Sequence, residues 1–169
     1  VQDWNQVFDK NEVIGADKFT GDVSDWDVSR ATNMHHMFYF SSSFDGDLSK
    51  WDVSKVTNMF GMFSSASSFK GDISKWDVSR VTTMVNVFSY MSFFEADLSN
   101  WDVSRVTNMK QMFAGASSFT QVLCGVWQTS TADKDGMFDG SSGRLCTTTS
   151  MITTPTTGKT RSVYEIAWP

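Results

Sequence analysis

An α/β solenoid, with one short parallel strand and one short helix per coil, is the fold class that three observations predict. The first is a 25-residue period without slippage: Trp26, Trp51, Trp76 and Trp101 mark it, as do Phe38, Phe63, Phe88 and Phe113. A fixed period of that length implies stacked units, because one unit cannot bury its apolar face alone. The second is the alternation of inward and outward residues around Trp51-Asp52-Val53-Ser54, the habit of a strand. The third is Met59, Met62 and Phe63 at i, i+3 and i+4, one face of a helix.

In chain order, residues 1–18 fall outside the frame. Trp4, Val7 and Phe8 repeat the spacing of Met34, Met37 and Phe38, which predicts a short amphipathic helix acting as an N-terminal cap. Residues 19–118 hold the full repeats, 19–43, 44–68, 69–93 and 94–118. Leu48, Trp51, Val53 and Val56, with their counterparts, give the spacing of a leucine-rich repeat, hence a leucine-rich-repeat-like coil. Thr32, Thr57, Thr82 and Thr107 stand where helix N-caps are expected. Residues 119–146 read as a degenerate repeat and C-terminal cap, since Trp127 arrives late and the Trp-Asp-Val-Ser core is lost. Residues 147–169 read as a Thr-rich linker or stalk that ends in an apolar segment, Val163–Trp168, expected to form an edge strand.

Bulk properties narrow the function. A net charge of −5 and a pI near 4.8 argue against nucleic acid as a partner. No apolar run approaches the ~20 residues a transmembrane helix needs. The chain opens on Val1, so the expectation is a processed or trimmed protein whose export signal is absent. Cys124 and Cys146 share the terminal cap, and a disulfide between them is expected over two buried thiols. A bridge would place the protein in an oxidising compartment.

Columns of like residues are the candidate chemistry. Asp27, Asp52, Asp77 and Asp102 should stack on a concave face, beside Arg30, Lys55, Arg80 and Arg105. The structural reading is a carboxylate ladder relieved by the cations and by Ser hydroxyls or turn amides. The functional reading is a polar surface for a glycan, a protein or calcium, although no calcium-binding loop is present. Asp22, Asp47, Asp72 and Asp97 fit turn capping. Large residues where the repeat tolerates polar ones mark a candidate interface: Tyr39, Phe40, Phe60, Tyr90, Met91 and Phe93. Packing among neighbouring helices would explain them equally. His35 and His36 have no catalytic partner at telling spacing, and no catalytic, cofactor or metal motif occurs, so no enzyme activity is expected.

The segment Gly46-Asp47-Leu48-Ser49-Lys50-Trp51-Asp52-Val53-Ser54-Lys55-Val56-Thr57-Asn58-Met59, with Met62-Phe63, resembles the BspA-like leucine-rich repeat family. The resemblance covers about 19–118. It departs at Ala31, Thr83, Val87 and Ala96, all packing positions. It implies a secreted or surface-anchored protein with adhesion or recognition roles, and carries over no catalytic or ligand-binding residue. The expected function is therefore a non-catalytic extracellular interaction or adhesion module for a protein or glycan partner. The alternative is a structural subunit of an assembly or filament joined through Val163–Trp168. Binding to ice or mineral is a more distant third.

Overall fold

A computed structural model describes Gln2–Asp3 and residues 16–147. The expected helix at Trp4, Val7 and Phe8, most of the Thr-rich tail and the Val163–Trp168 strand lie outside the described residues.

The structure overturns the expected α/β leucine-rich-repeat-like solenoid. Among the described residues, regular secondary structure is almost absent. It amounts to β1 (Gln2–Asp3), a 3-10 turn at Ala16–Lys18, β2 (Ala31–Asn33), β3 (Val122–Leu123), α1 (Val126–Thr129) and β4 (Arg144–Leu145). β1 pairs in parallel with β2, and β3 in parallel with β4. No repeat between them carries the expected strand and helix.

Turns replace the expected strand. The Trp51 amide donates to the Leu48 carbonyl and the Val56 amide to that of Val53, each closing a four-residue turn. Asp side chains set these turns: Asp47 Oδ1 accepts from the Ser49 amide at 2.9 Å, and Asp52 Oδ1 from the Ser54 amide at 3.0 Å. An Asp that bonds the backbone two residues on competes directly with a strand ladder. The pleat implied by Trp-Asp-Val-Ser is therefore broken at each Asp.

The expected helix is also a run of turns. The Met62 amide donates to the Met59 carbonyl, Ser64 to Gly61 and Ala66 to Phe63. Gly61 and Ser65 have φ of 57° and 62°, the left-handed conformation that a type II turn demands of its third residue. Other amides of this run are turned outward and bond the next repeat. Met59 donates to Thr83, Gly61 to Val85, Phe63 to Val87 and Ser65 to Ser89, at 2.8–3.2 Å. The pattern recurs in each neighbouring repeat, so the backbone is satisfied between repeats and not within a helix.

The threonines expected as N-caps serve this inter-repeat bonding instead. Thr57 Oγ1 donates to the Thr32 carbonyl, Thr82 to Thr57 and Thr107 to Thr82, at 3.0–3.1 Å. Beside them, isolated parallel bridges join Asn33, Asn58, Thr83, Asn108 and Asp133 in succession.

The core forms where equivalent side chains of successive repeats meet. Phe38, Phe63, Phe88, Phe113 and Phe138 stack with centroids 5.5–6.0 Å apart and near-parallel planes. Phe44 stacks on Phe69 and Phe94 on Phe119, and each of these rings also stacks on a ring of the first column. Offset aromatic pairs contribute about 0.5–1.5 kcal/mol each beyond their buried area. Met34, Met37, Met59, Met62, Met84, Met109 and Met112 are fully buried in the same core, where an unbranched thioether fills uneven gaps.

Candidate functional site

The positions that distinguish the repeats from one another are the ones free to carry function. They lie on the turn run that bonds repeat to repeat. Its left-handed positions form two columns, one of His36, Gly61, Asn86, Gln111 and Gly136 and one of Phe40, Ser65, Tyr90, Gly115 and Gly140. Glycine reaches this conformation freely, whereas a bulky residue there costs about 1–2 kcal/mol. In the second column Phe40 and Tyr90, both at φ 56°, are the bulky residues that carry this strain.

Glycines make room for their neighbours' rings. The Tyr90 ring lies over Gly115, where a Cβ would meet Tyr90 Cδ1 at 2.7 Å. The His36 ring lies over Gly61 in the same way, with a Cβ meeting His36 Cδ2 at 2.4 Å. Tyr90 is nevertheless 64% exposed and Phe93 58%, against 37% for Phe40. Lys70 Nζ sits 5.4 Å from the Phe93 ring centroid, within cation–π reach. Beside this pair is a shallow depression lined by Lys70, Gly71, Asp72, Phe93, Glu95 and Ala96.

The structure sorts the candidate interface residues into three groups. Phe40, Tyr90 and Phe93 are exposed. Tyr39 and Phe60 are half-buried in a ring cluster with the histidines: His36 stacks on Tyr39 at 4.3 Å, and Phe60 lies 4.9 Å from His35 and 5.2 Å from His36. Met91 is fully buried and belongs to the core, so it cannot line an interface. It occupies the column of Ser41, Ala66 and Ala116, all buried, so the column itself marked it as an inward position.

The polar columns are exposed, and their Asp residues serve the turns. Asp27 Oδ1 accepts from the Ser29 hydroxyl at 2.6 Å and from its amide at 3.1 Å. Asp77 and Asp102 accept from the amides of Ser79 and Ser104 at 3.0 Å. Hydrogen bonds from the serine hydroxyl and then the amide hold the carboxyls of Asp27, Asp52 and Asp102 below the ordinary value. Attraction from Arg30, Lys55 and Arg105 is a lesser cause. Asp22, Asp47 and Asp97 are lowered chiefly by the amides of Ser24, Ser49 and Ser99. Arg30, Lys55, Arg80 and Arg105 are solvent-exposed beside them. Sequence reasoning missed Lys110, whose Nζ lies 3.2 Å from Asp133 Oδ2; the two are 23 residues apart, out of the 25-residue frame that set the other columns.

Cys124 and Cys146 form a disulfide, with Cα atoms 5.0 Å apart. Among the described residues no group of His, Cys, Asp and Glu is arranged to hold a metal ion. No helix among them is long and apolar enough to cross a membrane.

This repeat, with its Trp, Met-Phe and Asp-x-Ser columns, matches the family model described as "Mycoplasma protein of unknown function, DUF285", over residues 1–90 and 46–147. The chain belongs to the DUF285 family. No curated protein and no solved structure matches it. The DUF285 matches reach the disulfide but not the residues beyond 147. The family description names no activity for this surface.

Proposed function

We infer that this DUF285 chain is a non-catalytic recognition module working outside the cytoplasm, with the face around Phe40, Tyr90 and Phe93 as its contact surface. One observation carries the reading. Phe40 and Tyr90 keep large, exposed rings at left-handed positions where the equivalent residues are Ser65, Gly115 and Gly140. Strain of this kind persists where the side chain serves a purpose other than stability. Exposed aromatic rings offer large contact area at low entropic cost, as protein and glycan contact surfaces require. The disulfide supports an oxidising compartment. The likeness of the repeat to BspA-like surface proteins supports display at a cell surface.

The test replaces each ring by the residue of its own column, as Phe40→Ser, Tyr90→Gly and Phe93→Ser. Fluorescently labelled protein is then applied to intact cells of the source organism. Loss of surface binding with a melting temperature no lower than the parent's is the expected result. Undiminished binding by the triple variant would overturn the assignment of this face.

A further inference from the structure

The inter-repeat backbone hydrogen bonds of the turn run all point one way. Amides of one repeat donate to carbonyls of the next: Met34, His36, Phe38 and Phe40 to Asn58, Phe60, Met62 and Ser64. The rule holds along the molecule up to Met109, Gln111, Phe113 and Gly115, which donate to Asp133, Asp135, Met137 and Asp139. The next row, Lys134, Gly136, Phe138 and Gly140, has no acceptor among the described residues. Within the described residues, the C-terminal end is thus a bare row of backbone donors, spaced as in the rows before it.

Side chains make that end a seat. Met137, Phe138 and Leu145 floor a shallow depression rimmed by Lys134, Asp139 and Arg144. Phe138 closes the first ring stack, with Phe113 5.5 Å away on one side and no further described ring on the other, and it is only half-buried. An open row of amides beside apolar surface is a template for an extended backbone that presents carbonyls.

Two copies cannot meet through this row end to end, because each would offer donors to donors. At the opposite end β1 lies on β2 and covers the edge at Ala31–Asn33. The occupant that fits is the chain's own continuation. β4 lies beside β3, with Leu145 opposite Leu123. A stretch as long as that from Leu123 to Lys134 takes the chain from Leu145 to Thr156, so the residues past Thr156 are within reach of the row. Among them the sequence holds apolar Val163, Tyr164, Ile166 and Trp168, which suit Phe138, and acidic Glu165, which suits Lys134 and Arg144. A tether this short gives the segment a high effective concentration at the seat.

We propose that the segment from Thr156 to Trp168 docks on the row Lys134–Gly140, supplying its missing carbonyls and covering Phe138. Amide hydrogen exchange of the full chain tests this. The amides of Gly136, Phe138 and Gly140 should exchange roughly 100-fold or more slower than in an unstructured peptide. Ile166→Asp should restore fast exchange there while Gln111, Phe113 and Gly115 stay protected. Fast exchange in the parent chain would overturn the proposal. So would protection that survives Ile166→Asp, or that disappears on dilution and so comes from a second molecule.

Discussion

Trp51 Nε1 donates to the carbonyl of Val23, 28 residues earlier, at 2.9 Å and out of contact with water. The same bond joins Trp76 to Leu48, Trp101 to Ile73 and Trp127 to Leu98, at 3.1 Å. Each indole therefore packs into the core and ties its repeat to the one before. Trp76→Phe keeps most of the apolar volume and removes the indole bond, while the Leu48 carbonyl keeps the Trp51 amide as its donor. It should cost about 0.5–1.5 kcal/mol in urea unfolding. Trp76→Ala adds the cavity and should cost about 3–5 kcal/mol.

Tyr90 reverses the usual ranking of small residues. At φ 56°, alanine keeps the left-handed strain, whereas glycine removes it. Tyr90→Gly should be more stable than Tyr90→Ala by about 1 kcal/mol, although glycine loses more entropy on folding. Paired urea titrations of the variants read this difference directly. Equal stabilities would show that the left-handed position is not held in solution.

Acid should weaken the fold through the serine-bonded aspartates. Hydroxyls of Ser29, Ser54, Ser74 and Ser104, then their amides, hold the carboxyls of Asp27, Asp52, Asp72 and Asp102 below the ordinary carboxylate value. A carboxyl lowered on folding binds its proton more readily in the unfolded chain. Its contribution is therefore complete above the unfolded value and is lost as pH falls below it toward the folded one. Stability should be flat from neutral pH down to about 5 and fall below about 4. Replacing these four aspartates by Asn, which still accepts the turn amide, should flatten the acid limb of a pH series of unfolding midpoints.

The disulfide should matter to stability beyond its immediate surroundings. It links residues 22 apart, and the segment it closes is also held by Cys146 N–H on Leu123 and by Gln128 Nε2 on the Cys146 carbonyl. From chain entropy, Cys124→Ser with Cys146→Ser should lose about 3 kcal/mol. Thermal unfolding of the oxidised parent and the double variant checks the figure.

The columns were legible in the sequence because they follow from the period alone, and so were the buried Trp, Phe and Met residues on them, apart from Met91, which was read as part of an interface. The backbone between them was not. Met at i with Met and Phe at i+3 and i+4 suits one helical face, but turns whose third residues are left-handed bring the same side chains inward. The clue lay in Gly61, Gly115, Gly136 and Gly140, since an interior helical glycine costs about 1 kcal/mol. The Asp-x-Ser spacing at Asp47 and Asp52 likewise announced turns where alternation suggested a strand. Of the proposed contact surface, the rings of Phe40, Tyr90 and Phe93 could be picked out as departures from the repeat. The left-handed backbone beneath Phe40 and Tyr90 could not, because nothing in an aromatic residue signals positive φ.

The one-way run of amide to carbonyl also sets an order of events during synthesis. A row such as Met59, Gly61, Phe63 and Ser65 finds its acceptors only in residues made later, Thr83 to Ser89. The turn-run amides of each repeat are therefore satisfied by its successor, while its Trp indole and Thr amide bond its predecessor. A pause in translation would leave the newest repeat tied to the one before it, with its turn-run amides still open to water.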